Sequence, residues 1–217
     1  LSWPPATAGC MMGNPMAGSW SEQVSPSGSH AETQDLLKDT ILNFCTQCSA
    51  KVALRIPEGD GRPRFVCDSC GTIHYENPRM VVGTLPVMDD TILLCRRAIE
   101  PRRNMWTLPA GWLENGETLS DCAVRETLEE AYAHVEDLQP YVLVNLPFIN
   151  QLYFIYRARL INDDFHSGSE SLEVKLFSPA EIPWDELAFS AISETLKWYC
   201  KDLEKAAFPF RVVDIGI

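Results

Sequence analysis

Apolar positions along this chain follow two rhythms. The segments "NPRMVVGTLPVM" (77–88) and "TILLCRRA" (91–98) are short runs of β-branched and aliphatic residues, and they predict two strands around the turn Asp89-Asp90. "YVLVNLPFI" (141–149) and "QLYFIYRARLI" (151–161) predict two more, with a Pro and Asn break between them, and "LEVKLFS" (172–178) another, closed by Pro179. The helical rhythm appears in "ETLSDCAVRETLEEA" (117–131), with Thr118 or Ser120 near its start, and in "AISETLKWYCKDLEKA" (191–206), where Ile192, Leu196, Tyr199 and Leu203 share a face. "TQDLLKDTILN" (33–43) predicts a short lead-in helix. "IEPRRNMWTLPAGWLENGE" (99–117) is punctuated by Pro and Gly and reads as loop with little strand, as does "NDDFHSGSES" (162–171). The sum is an α/β fold, a mixed sheet with at least two helices.

Composition narrows the picture. With 46% hydrophobic and 22% charged residues in 217, the chain suits one ordinary domain plus a small module. A net charge of -12 argues against a broad basic surface for nucleic acid, although a bound divalent cation still admits an anionic substrate. No apolar run approaches the roughly 20 residues of a membrane span. No Lys or Arg precedes Lys38, so the basic region of a secretory or transit signal is missing, and a cytoplasmic location is expected. Residues 1–32, rich in Ser, Pro, Gly and Ala, read as a disordered extension in which Met11, Met12 or Met16 is a candidate start; residues 206–217 read as a tail.

Four of the eight cysteines form a pattern. Cys45-x2-Cys48 and Cys67-x2-Cys70, 18 residues apart, supply four thiolates for a tetrahedral ion, usually zinc. Two disulfides, or four reduced thiols, are the alternatives. Gly71 offers a tight turn after the second pair, and "PEGDGRP" suits a hairpin between the two. Four cysteine ligands leave no open position, so the zinc is structural. Cys95 and Cys122 lie in apolar surroundings and read as buried free thiols.

The stretch "RETLEEAY" gathers carboxylates. At 100° per residue, Glu126, Glu129 and Glu130 sit at roughly 0°, 300° and 40°, on one stripe that also holds Leu119, Cys122, Ala123 and Ala133. A solvated acidic face explains an acidic run by itself. Placed in line with a buried face, three carboxylates need compensation, which Mg²⁺ or Mn²⁺ supplies through oxygen ligands.

Gly111, Glu117, Arg125, Glu126, Glu129 and Glu130 complete a longer pattern. "GWLENGETLSDCAVRETLEEAYA" resembles the Nudix box, G-x5-E-x7-R-E-U-x-E-E-x-G-U, with U a bulky aliphatic residue. Thr127 and Ala133 are weak matches at the U positions, and Tyr132 replaces the last glycine; the helix is therefore expected to run past Tyr132 to Ala133 or His134. From Cys45 to about Phe189 the chain is similar to zinc-ribbon Nudix hydrolases of bacteria and plants, including FAD pyrophosphohydrolases, through "RFVCDSCGTIHYENPR", "LLCRRAIEPRRNMWTLPAGW" and "EIPWDELAF". The resemblance implies a Nudix α/β/α sandwich over 77–205 behind a lead-in and zinc ribbon over 33–76. It also implies a nucleotide small-molecule substrate and a homodimer.

The implied activity is hydrolysis of the pyrophosphate bond in nucleoside diphosphate-X compounds, FAD or ADP-ribose, giving AMP and a phosphorylated product. Glu126, Glu130 and Glu129 are the implied ligands of Mg²⁺ or Mn²⁺, with the carbonyl of Ala110; Arg125 orients the glutamates and Glu117 supports the loop–helix junction. The water-activating base is a box glutamate or one of Glu170 and Glu173, with Glu173 preferred because strand alternation gives it a defined direction. Among Arg96, Arg97, Arg102 and Arg103, Arg96 and Arg102 are the leading candidates for the diphosphate. Trp112 is a candidate stacking platform, and Trp106 reads as core. The "SQPWPFP" type segment of NADH pyrophosphatases is absent, which demotes NADH. A catalytically silent ligand-sensing module is the alternative function, and an RNA-end hydrolase a third reading that the charge disfavours.

Overall fold

The computed structural model describes residues 42–216. The expected extension lies outside the described residues, as does the lead-in helix expected over 33–43 except for its last two residues, Leu42 and Asn43, which are not helical. A small three-stranded sheet comes first: β1 (Val52–Arg55), β2 (Arg64–Cys67) and β3 (Ile73–His74), antiparallel in the order β1-β2-β3.

An eight-stranded mixed sheet comes next. Its elements are β4 (Arg79–Met88), β5 (Thr91–Arg97), β6 (Trp106–Thr107), β7 (Ala110–Trp112), β8 (Val135–Leu146), β9 (Gln151–Leu160), β10 (Ser171–Phe177) and β11 (Arg211–Asp214). The order is β10-β5-β4-β9-β8-β11, with β6 beside β5 and β7 beside β4. β4 and β5 form the hairpin at Asp89-Asp90, with Asp89 at φ 51°. Away from that hairpin β4 leaves β5 and pairs with β7, while its other edge runs parallel to β9. The segment expected to be mostly loop thus carries two short strands.

Successive residues of β4 face opposite ways, and two layers of helix cover the two faces. Val82 packs with Cys122 and Ala123 of helix α1 (Leu119–Ala131), and Val81 and Leu85 belong to the cluster holding Ala191, Ile192, Leu196 and Tyr199 of helix α2 (Ser190–Lys205). The result is an α/β/α sandwich. Cys95 and Cys122 are buried free thiols.

The last residues are not a tail. β11 runs parallel to β8, pairing Arg211 with Val142 through Asp214 with Asn145. The strand is fastened by a buried polar knot: Tyr141 Oη donates to Asp202 Oδ2 at 2.7 Å, and Arg211 Nη1 reaches the same oxygen at 2.7 Å. A four-residue strand at a sheet edge is too short to declare itself by alternation.

The two ends of α1 set where its glutamates stand. Thr118 caps the N-terminus, its Oγ1 accepting from Asp121 N at 3.1 Å. At the other end the helix does not run on. It stops at Ala131, and Tyr132 takes the left-handed conformation at φ 48°, ψ 25°, donating its N–H to Leu128 O. That conformation costs a non-glycine residue about 1 kcal/mol, and the strain is accepted. The loop after β9 compensates: its backbone donates from His166 N to Ala131 O at 2.9 Å and from Gly168 N to Glu130 O at 3.0 Å, satisfying carbonyls that the helix end leaves open. Gly168 is needed there, since a Cβ would fall 1.8 Å from Glu129 O.

Candidate active site

In the small sheet, the four cysteine sulfurs lie within 4.8 Å of one another. Cys45 and Cys70 are 3.6 Å apart and Cys48 and Cys67 3.5 Å, close to the ~3.8 Å edge of a sulfur tetrahedron around zinc. The two knuckles repeat one construction. Cys45 N bonds Ala50 O and Ser49 N bonds Cys45 O; Cys67 N bonds Thr72 O and Gly71 N bonds Cys67 O. Ser49 (φ 60°) and Gly71 (φ 75°) make the matching turns. These sulfurs fit a zinc ion.

The second site is a cleft of ≈ 480 Å³ where β5, β7, α1 and the loop before β10 meet. Glu126 and Glu130, one turn apart on α1, form its floor, and both are buried. Glu129 lies at the edge of the buried stripe and is exposed, so the three glutamates are not equivalent as the helical wheel suggests. Gly111 is fixed by Glu126: a Cβ on Gly111 would sit 2.3 Å from the Glu126 carboxylate.

Arg125 organises the entrance to this floor. Its Nε and Nη2 grip the two oxygens of Glu117 at 3.1 and 2.8 Å, Nη1 donates to Glu126 Oε1 at 2.6 Å and Glu129 Oε2 at 3.3 Å, and Nη2 also reaches Trp112 O at 3.2 Å. Glu117 in turn accepts from Glu114 N at 2.7 Å, which closes the loop onto the helix. The Arg125 hydrogen bonds hold the Glu117 carboxyl down to about 2. Thr127, at an aliphatic position of the box, bonds Thr84 Oγ1 on β4 at 2.6 Å.

Glu130 is the unusual member. Its Oε2 is buried without a hydrogen-bond partner. Burial, and next the Glu126 charge, push its carboxyl up to about 8. Glu126 is also raised, by burial first, against the pull of Arg125 and with the Glu129 and Glu170 charges adding to the rise. A carboxylate with a bare oxygen beside a second carboxylate fits a divalent cation, the charge that would relieve both. Ala110 and Glu129 line the same cleft.

The other expected residues divide. Glu170 lines the cleft; Glu173 does not, and faces Arg96 at 3.6 Å. A register shift between Ser171 and Glu173 breaks the alternation on which the preference for Glu173 rests. Arg97, not Arg96, reaches the cleft, because consecutive residues of β5 point to opposite faces. Its Nε donates to Pro101 O at 2.9 Å and its guanidinium lies 5.1 Å from the centre of the Phe189 ring. Arg96 instead donates to Asn104 O, and Arg102 sits in the β5–β6 loop at φ 64°, outside the cleft lining. Trp112 lies half exposed at the cleft, and Trp106 is core, edge-on to Phe177 at 4.9 Å. Tyr132 also lines the cleft, which the sequence does not suggest; its place in the box, where glycine is usual, is the only signal.

An α/β/α sandwich whose first helix presents an arginine-braced glutamate cluster defines a class of proteins. The NUDIX domain matches residues 77–199 and the zinc-ribbon Nudix N-terminal family residues 43–76, and the chain belongs to the Nudix family. A crystal structure of a NUDIX hydrolase from Nitrosomonas europaea is 48% identical and aligns with TM-score 0.77, over 81% of this chain and 100% of that one. An NAD-capped RNA hydrolase NudC of Vibrio parahaemolyticus is 30% identical over 150 residues, 65% of this chain and 53% of that protein. The chain thus spans about half the length of that curated relative. An ADP-ribose pyrophosphatase from Streptococcus suis shares the fold at 22% identity and TM-score 0.52, over 63% of this chain and 99% of that one. Among the described residues no helix is long and apolar enough to cross a membrane.

Proposed function

We propose that the chain hydrolyses the pyrophosphate bond of nucleoside diphosphate-X compounds with the help of Mg²⁺ or Mn²⁺. The observation that carries this reading is the buried, partnerless Oε2 of Glu130 beside Glu126. Glu126, Glu130, Glu129 and the Ala110 carbonyl would hold the cation. When bound, it supplies charge neutralisation for the diphosphate and a lowered pKa for water.

The chain's own residues do the rest. Arg125 holds Glu126 and Glu129 in place while Glu117 and the Trp112 carbonyl hold Arg125. Arg97 faces the same cleft and meets the negative charge of the diphosphate. Glu170, at the cleft wall, takes the proton from the attacking water; Glu173, outside the cleft and facing Arg96, is the weaker candidate.

FAD and ADP-ribose are the favoured substrates, cut to AMP and a second monophosphate. The name of the Vibrio relative supports a second reading, NAD or an NAD-capped RNA end. The -12 charge favours the small dinucleotide over the RNA. A silent sensing module has no use for a buried like-charge pair, which costs stability unless a cation relieves it. Incubation with Mg²⁺ and FAD, ADP-ribose, NADH, NAD, CoA and NAD-capped RNA, followed by separation of products, tests this. AMP release from one or more small dinucleotides is expected. Bound cation without cleavage of any of them would favour the sensor.

A further inference from the structure

Tyr132 stands where folding alone would place a glycine. Its backbone is left-handed at φ 48°, a conformation that glycine adopts without steric penalty, so the side chain is kept against local preference. Packing does not explain it, because the residue is 48% exposed. The ring lines the cleft above the glutamates. One of its faces is backed by the His166 ring, stacked at 4.1 Å and 23°. His166 is in turn held by its own N–H on Ala131 O, and two residues on, Gly168 is pressed against Glu129 O so closely that no Cβ would fit. The loop holds the backbone that carries the histidine, and the histidine ring backs the tyrosine. Trp112, 46% exposed, opens onto the same cleft.

A half-exposed aromatic ring, backed on one face and beside a cation and diphosphate site, is suited to one chemistry, stacking on a planar heteroaromatic ring. We propose that Tyr132, backed by His166, is the platform on which an aromatic base of the substrate stacks, and that it makes the site select base-bearing diphosphates. This rests on the pyrophosphohydrolase reading for its substrate class. The ring belongs to adenine, nicotinamide or isoalloxazine, and the test separates these sources.

Calorimetry without turnover tests it on the full chain. Kd is measured for AMP, nicotinamide mononucleotide, FMN and ribose 5-phosphate with wild type, Tyr132→Gly and Tyr132→Phe. Ribose 5-phosphate lacks the base and is the control. At least one base-bearing monophosphate is expected to bind wild type more tightly than ribose 5-phosphate and to lose about tenfold on Tyr132→Gly, with Tyr132→Phe close to wild type. The compound losing most names the ring. Tyr132→Gly relieves the left-handed strain, so its Tm should be unchanged or higher, and a loss of binding is then not a loss of fold. Wild type without a preference for base-bearing compounds, or a preference untouched by Tyr132→Gly, would overturn the proposal. Hydrolysis is scored separately: base-selective binding without cleavage of any dinucleotide would sink the enzyme reading and leave the platform standing.

Discussion

Arg125 grips Glu117 with two parallel hydrogen bonds, Nε to Oε2 at 3.1 Å and Nη2 to Oε1 at 2.8 Å. A planar fork makes both at once while its third nitrogen serves Glu126 and Glu129; an ammonium group keeps the charge but not the fork. Arg125→Lys should therefore lower kcat by about 10–100-fold with a small change in Tm. Steady-state kinetics beside a thermal melt checks both. A lysine enzyme with full turnover would show that the brace is dispensable.

Glu170 and Glu173 are separated by the break in register within β10, and only Glu170 lines the cleft. Glu170→Gln should reduce kcat by about 10²-fold or more, and Glu173→Gln should leave it within about twofold. Equal losses, or the reverse order, would reassign the base.

Glu130 gives the chain a pH dependence of definite sign. Its carboxyl is raised from 4.5 to about 8 on folding. A raised carboxyl contributes stability that is complete below the unfolded value and is lost as pH rises through the folded one. In buffer free of Mg²⁺ and Mn²⁺, Tm should fall between pH 4.5 and 8, and Glu130→Gln should flatten that fall. Cation binding displaces the proton, so affinity for Mn²⁺ should rise by up to about tenfold per pH unit until about pH 8. Melts and Mn²⁺ titrations across this range check the sign. Depressed Glu117 acts oppositely, its contribution complete above 4.5 and lost as pH falls from there through about 2.

The four sulfurs at the small sheet predict one zinc per chain by elemental analysis. Cys67→Ser should remove it and open residues 43–76 to proteolysis, because this sheet has only three short strands to hold it. Retention of zinc and protease resistance in this variant would show that a different ligand set is used.

Where periodicity or fixed spacing carries a feature, the sequence shows it plainly. The helix start is legible to within Thr118 or Ser120, of which Thr118 is the cap, and the two CxxC pairs announce their tetrahedron. Glu126 and Glu130 lie in line with Cys122 and Ala123 because a helix has one period. The features that escape depend on departures from period or on distant partners. The shift before Glu173 reverses a reading based on alternation. Nothing in the local pattern of β5 says which of Arg96 and Arg97 turns to the cleft; the helix packed on that side decides it. The strand at Arg211 is held by Tyr141 and Asp202, residues far away in the chain. Local preference keeps Tyr132 out of the left-handed region, and the loop from His166 to Gly168 imposes that backbone from outside the helix.

Above all, Glu126 and Glu130 are read as a divalent-cation site. Titration of Mn²⁺ at pH 8, followed by the loss of its free six-line electron paramagnetic resonance signal, addresses this without recourse to activity. Wild type should remove Mn²⁺ from solution, and Glu126→Gln and Glu130→Gln should each weaken that binding by about 10–100-fold while keeping the fold. A wild-type chain that leaves the Mn²⁺ signal untouched, or glutamine variants that bind as tightly as wild type, would refute the cation site.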